Sequence, residues 1–252
     1  MISIICVYNN KILLDNYLLQ SLKRQTTEYE LILLDNTQRK FQSAAEALNQ
    51  GGKQANQKYL MFVHQDVDLS SPTFLENVEN ILDSIERLGI AGVAGKKDSK
   101  GVLTIITHDT PPTTAGNILI DHIIEVQTLD ECLVIIPQEA FNSLHFDEEV
   151  CDDWHLYAVD YCLNVTKLGL KSYVLPLTIY HYSPLIPKNL FQILFSIGPL
   201  PKGYYNTLKK VLKKYKPEVE CIYTSCGDWN TSDPLIIQRF KILVKSGLKM
   251  IK

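Results

Sequence analysis

Short apolar runs alternate with stretches of helical spacing through the first ninety-odd residues, and this rhythm restricts the chain to few architectures. Ile2–Val7, Glu30–Leu34, Tyr59–Val63 and Ile90–Ala94 are largely apolar runs of strand length. Between them, Leu13–Arg24 carries Leu14, Leu18, Leu19 and Leu22 at helical spacing. Ala44–Lys58 reads as a second helix and Pro72–Leu88 as a third, with Pro72 near its first turn. Continuous apolar strands separated by helices predict an α/β fold: a single, Rossmann-like, mainly parallel sheet flanked by helices. At 252 residues, 46% hydrophobic, the chain has ample material for a sheet covered on both faces.

After Gly95 the texture changes. Short strands are expected at Val102–Thr107 and Leu133–Ile136, separated by a polar stretch around Pro111-Pro112. The spacing predicts a helix from about Trp154 to Leu168, stopped by Gly169. A strand over Lys171–Leu175 then leads to Tyr180-His181-Tyr182-Ser183. Helices are expected beyond Pro187. Residues 1–185 therefore read as one sheet domain, and 186–252 as a helical C-terminal extension packed on it.

In open α/β sheets, ligands sit outside the carboxyl ends of the strands. The polar residues there are Tyr8-Asn9, Asp35-Asn36-Thr37, Asp66-Val67-Asp68 and His181. Asp66 and Asp68 follow a buried-type strand, and in an extended segment residues two apart point the same way. Two unpaired carboxylates on one side of a buried strand end are costly. A solvated turn opening the next helix resolves this, and so does a divalent cation shared with substrate phosphates.

Net charge is −3, which gives no reason to expect nucleic-acid binding. The six cysteines include no Cys-x-x-Cys pair and read as reduced packing residues in a cytosolic protein. The N-terminus lacks the basic flank and cleavage site of a signal peptide, and no apolar run approaches membrane-spanning length. A soluble, cytoplasmic chain is expected, at most peripheral on the inner face of the plasma membrane. Lys209-Lys210, Lys213-Lys214 and Arg239–Lys252 mix basic and apolar residues at helical spacing. Such a face suits an anionic membrane, a homo-oligomer contact or plain solvent.

Several ordered motifs carry a resemblance. They are Ser3-Ile4-Ile5-Cys6-Val7-Tyr8-Asn9, Ser21-Leu22-Lys23-Arg24-Gln25-Thr26, and the strand ending Asp35-Asn36-Thr37. Ala47-Leu48-Asn49-Gln50-Gly51, His64-Gln65-Asp66-Val67-Asp68, Phe146-Asp147-Glu148 and Asp160-Tyr161-Cys162-Leu163 through Gly169 follow in order. From Ser3 to about His181 the chain resembles the family 2 glycosyltransferases of the GT-A fold. The resemblance implies inverting transfer of one sugar from a nucleotide diphosphate sugar, UDP-hexose favoured and dTDP-rhamnose as an alternative. The acceptor would be a hydroxyl of a glycan, glycolipid or glycoprotein, so a carbohydrate or lipid-linked molecule, in bacterial surface polysaccharide or glycoprotein assembly. It implies Mn²⁺ or Mg²⁺ as cofactor.

The same resemblance implies roles for residues. Asp35 would accept from the base of the nucleotide, Tyr8 would lie over it, and Val7 and Asn9 would flank it. Asp66 and Val67 would face the ribose and metal region, Asp68 would bind the metal directly, and His181 would add a third contact. Imidazole suits Mn²⁺ better than Mg²⁺. For the base, Cys151-Asp152-Asp153-Trp154-His155 and Asp160 offer the candidates. Asp153 and Asp160 are about two helical turns, or ~10 Å, apart, so both cannot serve one hydroxyl. Asp153, at the helix start and able to cap it, is favoured; Asp152 is next and His155 stays a candidate. Asp160 is expected to anchor the helix, and Trp154 and Tyr157 to wall an acceptor sugar or simply pack.

Ala158 stands where the family's usual base would be, which keeps open a non-catalytic partner of another glycosyltransferase. The Gln-x-x-Arg-Trp signature of processive relatives is absent, which favours transfer of a single sugar. A nucleotidyltransferase would carry a Gly-rich loop after the first strand, and Val7-Tyr8-Asn9-Asn10-Lys11 has no glycine.

Overall fold

The computed structural model describes residues 1–108, 113–116, 118–182 and 200–239. Its centre is a seven-stranded sheet of β1 (Ile2–Tyr8), β2 (Tyr29–Asp35), β3 (Tyr59–Val63), β4 (Leu88–Gly92), β5 (Ile124–Val126), β6 (Leu133–Pro137) and β7 (Lys171–Val174), in the order β5-β7-β4-β6-β3-β1-β2. β1 pairs parallel with β2 and β3, and β7 pairs parallel with β4. β6 runs antiparallel between β3 and β4, and β5 antiparallel at the edge. Five of the seven strands thus run one way, as the continuous apolar runs predict.

Alternation along each strand fills both faces. Ile2, Ile4 and Cys6 of β1 join Tyr59, Met61 and Val63 of β3 in one core, while Ile5, Leu60 and Phe62 enter the other. The helices are α1 (Lys11–Asn16), α2 (Leu18–Leu22), α3 (Ala44–Gly52), α4 (Phe74–Leu82), α5 (Gln138–Ser143), α6 (Tyr157–Val165) and α7 (Lys202–Tyr215). The expected helix over Leu13–Arg24 is two short ones broken at Tyr17. α3 ends at Gly51-Gly52 rather than Lys58. There a Cβ on Gly51 would stand 2.5 Å from Ile5, and one on Gly52 2.3 Å from Phe141, so the helix lies closer to its neighbours than any side chain permits.

α6 begins at Tyr157, three residues later than expected, because Leu156 takes a left-handed conformation (φ 67°) and turns the chain just before it. Asp153 is therefore not its N-cap. The helix continues as a 3₁₀ turn to Leu168 and stops at Gly169, φ 73°, as the sequence predicts. All six cysteines are free thiols.

Beyond residue 200 a third core forms, in which Leu156, Val159 and Leu163 of α6 meet Tyr204, Leu208, Val211 and Tyr215 of α7. Helices alone were expected here. The structure adds a hairpin, Cys221–Thr224 paired antiparallel with Gly227–Asn230, whose Ile222 and Trp229 complete that core. Gln127 docks it, donating to Cys221 O at 2.9 Å and accepting from Tyr223 N at 2.8 Å. Thr128 donates to Tyr223 O, and Lys96 pairs with Asp228. Pro111-Pro112, Ser183, the stretch 184–199 that follows it and the basic segment 240–252 lie outside the described residues.

Asp160 anchors α6 to α7. Only 1% exposed, it accepts from Lys214 Nζ at 2.8 and 3.0 Å and from the Tyr215 hydroxyl at 3.0 Å. Lys214 also holds Asp147 at 2.8 Å. Removing one member of a buried ion pair leaves the other charge uncompensated, at a cost of about 3–5 kcal/mol. Lys214→Met should accordingly lower stability by about 3 kcal/mol, read as a lower urea midpoint with unchanged slope.

Candidate active site

The carboxyl ends of β1, β2 and β3 open onto a cleft of about 240 Å³. Val7, Tyr8 and Asn9 line it from β1, Asn36 from the turn after β2, and His64, Gln65 and Asp66 from the turn after β3. Gln65 ties two of these ends together, accepting from the backbone N–H groups of Asn9 (3.1 Å) and Asn10 (2.9 Å) and donating to Asn9 Oδ1 at 2.9 Å. Asn10 in turn caps α1. Trp154 and Tyr157 close the far side.

Asp35 is not among the lining residues. Its carboxylate accepts from Thr37 N at 2.8 Å, and this bond, with the Thr37 and Tyr8 hydroxyls, holds it below the usual carboxylate range. Asn36, which does line the cleft, has its amide fixed by Phe41 N at 2.8 Å. Val67, expected at the nucleotide, is 0% exposed in the core.

At one edge of the cleft, His64, Asp66 and His181 each offer a ligand atom within 4.8 Å of the others. A two-residue strand, Val67–Asp68, pairs antiparallel with Tyr180–His181, and Tyr182 N donates to Asp66 O at 2.9 Å. This pairing brings His181 Nε2 to 3.3 Å from Asp66 Oδ1. Asp66 Oδ1 is buried and has no hydrogen bond of good geometry among the described residues. A buried carboxylate oxygen left in this way is destabilising. A cation bound between it and two imidazoles would satisfy it, so the donor set fits a divalent metal.

Burial, followed by the nearby His181, lowers the His64 pKa. Burial also works against charge on His181, but Asp66 beside it prevails and raises its pKa. Burial works against charge on Asp66 as well, and there His181 prevails and lowers it.

Asp68, expected on the metal, is placed elsewhere. One Arg24 nitrogen donates to both its oxygens, at 2.7 and 2.9 Å, and Ser70 N donates to it at 2.7 Å. The i, i+2 argument fails because β3 ends at Val63 and Asp66 lies in a turn, so Asp66 and Asp68 do not share one extended segment. His64, the first residue after β3, stands in the group instead.

The base candidates separate. Asp152 is exposed and paired with Lys210 at 2.6 Å. Asp153 accepts from Trp154 N at 2.6 Å and lies against Gly203 of α7. Neither lines the cleft. His155 lines a second cavity of about 120 Å³ together with Asp130, Glu131 and Tyr204. Its ring centroid is 5.8 Å from that of Tyr204, and burial lowers its pKa. Glu131, which sequence reasoning missed, faces the backbone N–H groups of Leu156, Tyr157 and Ala158. Tyr157 links the two sides: its hydroxyl donates to Glu131 O at 3.0 Å and lies 3.4 Å from His64 Nε2.

Comparison with known proteins gives consistent results. A family model described as "Glycosyltransferase like family" matches residues 2–188. No curated protein matches the chain by sequence. Among solved structures, the mannosyltransferase PcManGT from Pyrobaculum calidifontis, described in complex with GDP-Man and Mn²⁺, is similar at TM-score 0.57 and 13% identity, over 96% of this chain and 67% of its own. GalNAc-T7, described with UDP, GalNAc and Mn²⁺, is similar at 0.58 and 13%, over 86% of this chain and 50% of its own. S. aureus TarS is similar at 0.51 and 15%, over 85% and 43%. The chain thus spans half or less of the length of the last two. These likenesses show the GT-A fold.

Asp66→Asn should weaken Mn²⁺ binding at least tenfold by isothermal titration, and His64→Ala should do the same. Asp68→Asn, which weakens the Arg24 pair and keeps an oxygen for the Ser70 N–H, should change it less than threefold. Burial, with Asp130 adjacent, pushes Glu131 from its ordinary value near 4.5 up to about 8. The folded chain then holds a proton that the unfolded chain releases, so stability falls as pH rises from about 4.5 towards 8. Glu131→Gln should flatten that slope and be the more stable form at pH 8 by on the order of 3 kcal/mol, measured by urea denaturation at pH 5 and 8.

Proposed function

The chain belongs to the glycosyltransferase-like family, and we propose from that membership that it moves one sugar from a nucleoside diphosphate sugar to an acceptor hydroxyl, with inversion. The observation that carries the reading is the His64, Asp66 and His181 group at the edge of the strand-end cleft, whose ligand atoms lie within 4.8 Å of one another around the buried Asp66 Oδ1. When bound there, Mn²⁺ or Mg²⁺ supplies Lewis-acid stabilisation of the departing diphosphate.

The chain's own residues do the rest. Val7, Tyr8 and Asn9 receive the nucleoside, with Asp35 holding the Tyr8 hydroxyl against the base. Gln65 keeps the β1 and β3 ends in fixed relation, so base and diphosphate are gripped by one rigid unit. Trp154 covers the cleft on the acceptor side. His155, in the adjoining cavity, takes the proton of the attacking hydroxyl. Such a positioned base contributes ~10²–10⁴-fold, and holding donor and acceptor together removes much of the entropic barrier. Asp152 and Asp153 are occupied by Lys210 and by the Trp154 N–H.

Among the described residues no helix is long and apolar enough to cross a membrane.

The test is release of nucleoside diphosphate from a panel of UDP-, GDP- and dTDP-sugars, with and without Mn²⁺, by wild type and Asp66→Ala. We expect Mn²⁺-dependent release from one donor, reduced at least 100-fold in the variant. No release together with no Mn²⁺-dependent nucleotide binding would instead leave a non-catalytic partner protein.

A further inference from the structure

Two consecutive main-chain oxygens just before β6 hold His64, one of the three residues of the cation group. Cys132 O accepts from the backbone N–H of His64 at 2.9 Å, continuing the β3–β6 ladder past Val63. Glu131 O accepts from the Tyr157 hydroxyl at 3.0 Å, and that hydroxyl stands 3.4 Å from His64 Nε2. The histidine is thus tied twice to the same short segment, directly through its main chain and through Tyr157 at its ring.

Tyr157 is itself well held. The Glu131 carboxyl faces the backbone N–H groups of Leu156, Tyr157 and Ala158, so one residue fixes both the backbone and the hydroxyl of the tyrosine. Leu156, at φ 67°, turns the chain immediately before it. The Tyr157 ring is buried and meets the Phe146 ring edge-on, with centroids 5.6 Å apart and planes at 88°. A side chain locked by packing keeps its hydroxyl in place before any ligand arrives.

The direction of these bonds follows from what each atom can do. A tyrosine hydroxyl has one hydrogen to donate, and a carbonyl oxygen can only accept. The shorter contact, to Glu131 O, takes that hydrogen, so towards His64 the hydroxyl oxygen accepts. Nε2 is then the ring nitrogen that carries hydrogen, and the lone pair of the imidazole lies on Nδ1. The opposite arrangement would spend the hydroxyl hydrogen on Nε2 and place the ring hydrogen on Nδ1. His64 would then have no lone pair left for a cation.

Resting on the cation site of the reading above, we propose that Tyr157 is a positioning residue for it. Tyr157 fixes His64 as the Nε2–H tautomer and so makes Nδ1 the ligand atom. Metal-binding histidines as a rule donate their other ring N–H to a fixed acceptor. Here that acceptor is a phenol whose own hydrogen is committed to a main-chain oxygen. Tyr157, which the sequence offers as a wall for an acceptor sugar or as packing, thereby joins the start of α6 to the end of β3 at the cation group.

The experiment uses the full chain with isotope-labelled histidine, loaded with a magnetic isotope of Cd²⁺ as the divalent probe. Metal–nitrogen coupling in the NMR spectrum identifies the ligating nitrogen, and a one-bond correlation identifies the nitrogen that carries hydrogen. The His64 signals are assigned by their loss in His64→Gln. We expect, in wild type, coupling at His64 Nδ1 and hydrogen on Nε2. Tyr157→Phe keeps the ring and removes the hydroxyl. It should bind Cd²⁺ and Mn²⁺ about 10–100-fold more weakly by isothermal titration, with its His64 Nε2–H exchanging faster with solvent.

Coupling at Nε2, or none at His64, overturns the assignment. Cd²⁺ affinity within twofold of wild type in Tyr157→Phe overturns the positioning role. The nitrogen assignment is read on wild type alone, so it does not depend on how the variant folds. Binding of no divalent cation by wild type would instead overturn the cation site itself, and this role with it.

Discussion

Two residues of antiparallel pairing, Val67–Asp68 against Tyr180–His181, hold His64, Asp66 and His181 together. His64 and Asp66 come from one turn, but His181 arrives more than a hundred residues later in the chain, and this short ladder is what delivers it. The ladder has its own supports. Val67 is buried in the core beneath it, and Asp68 is pinned by Arg24 from the residues just after α2. On the far side, Tyr17 stacks on Tyr182 and Tyr180, with ring centroids 4.8 and 6.1 Å away. The aromatic stack occupies one side of the strand while His181, between the two tyrosines, faces Asp66. Asp68, which reads as a metal ligand in the sequence, is held here by Arg24 and the Ser70 N–H and so takes part in the scaffold of the ladder.

Much of the sheet was legible because the central parallel strands β1, β3 and β4 are largely continuous apolar runs, and burial on both faces demands such a run. Direction is not written in such a run. Leu133–Ile136 reads as a strand, but nothing in Leu-Val-Ile-Ile says that it lies antiparallel between β3 and β4. Helix ends were less legible. α6 starts late because of a left-handed leucine, and leucine carries no local signal for that conformation. Within the site, Asp66 and His181 announced themselves as polar residues past strand ends, whereas His64 was concealed by the apolar run it terminates. Glu131, one acid ahead of an apolar strand, acquires its character only from the helix start folded over it, which is non-local information.

The extension beyond residue 200 shows the same division. The amphipathic spacing of Lys202–Tyr215 is visible as a helix. The hairpin after it is not, since its two four-residue strands draw their stability from Ile222 and Trp229 in a shared core and from bonds to Gln127, Thr128 and Lys96. An isolated hairpin of that length is marginal in water. It exists here because the sheet domain supplies a partner for it.

Gln127 and Thr128 grip the hairpin through Cys221 O, Tyr223 N and Tyr223 O, all of them main-chain atoms. Those joints read main-chain geometry, and the side chains that also hold the hairpin, Ile222, Asp228 and Trp229, lie on its strands and not at its tip. The tip residues can therefore change identity without loosening those joints, much as loops vary on a rigid framework. Residues at the tip are free to diverge while the cation group and the cleft stay as they are, so the hairpin is the natural place for related chains of this build to acquire different tastes.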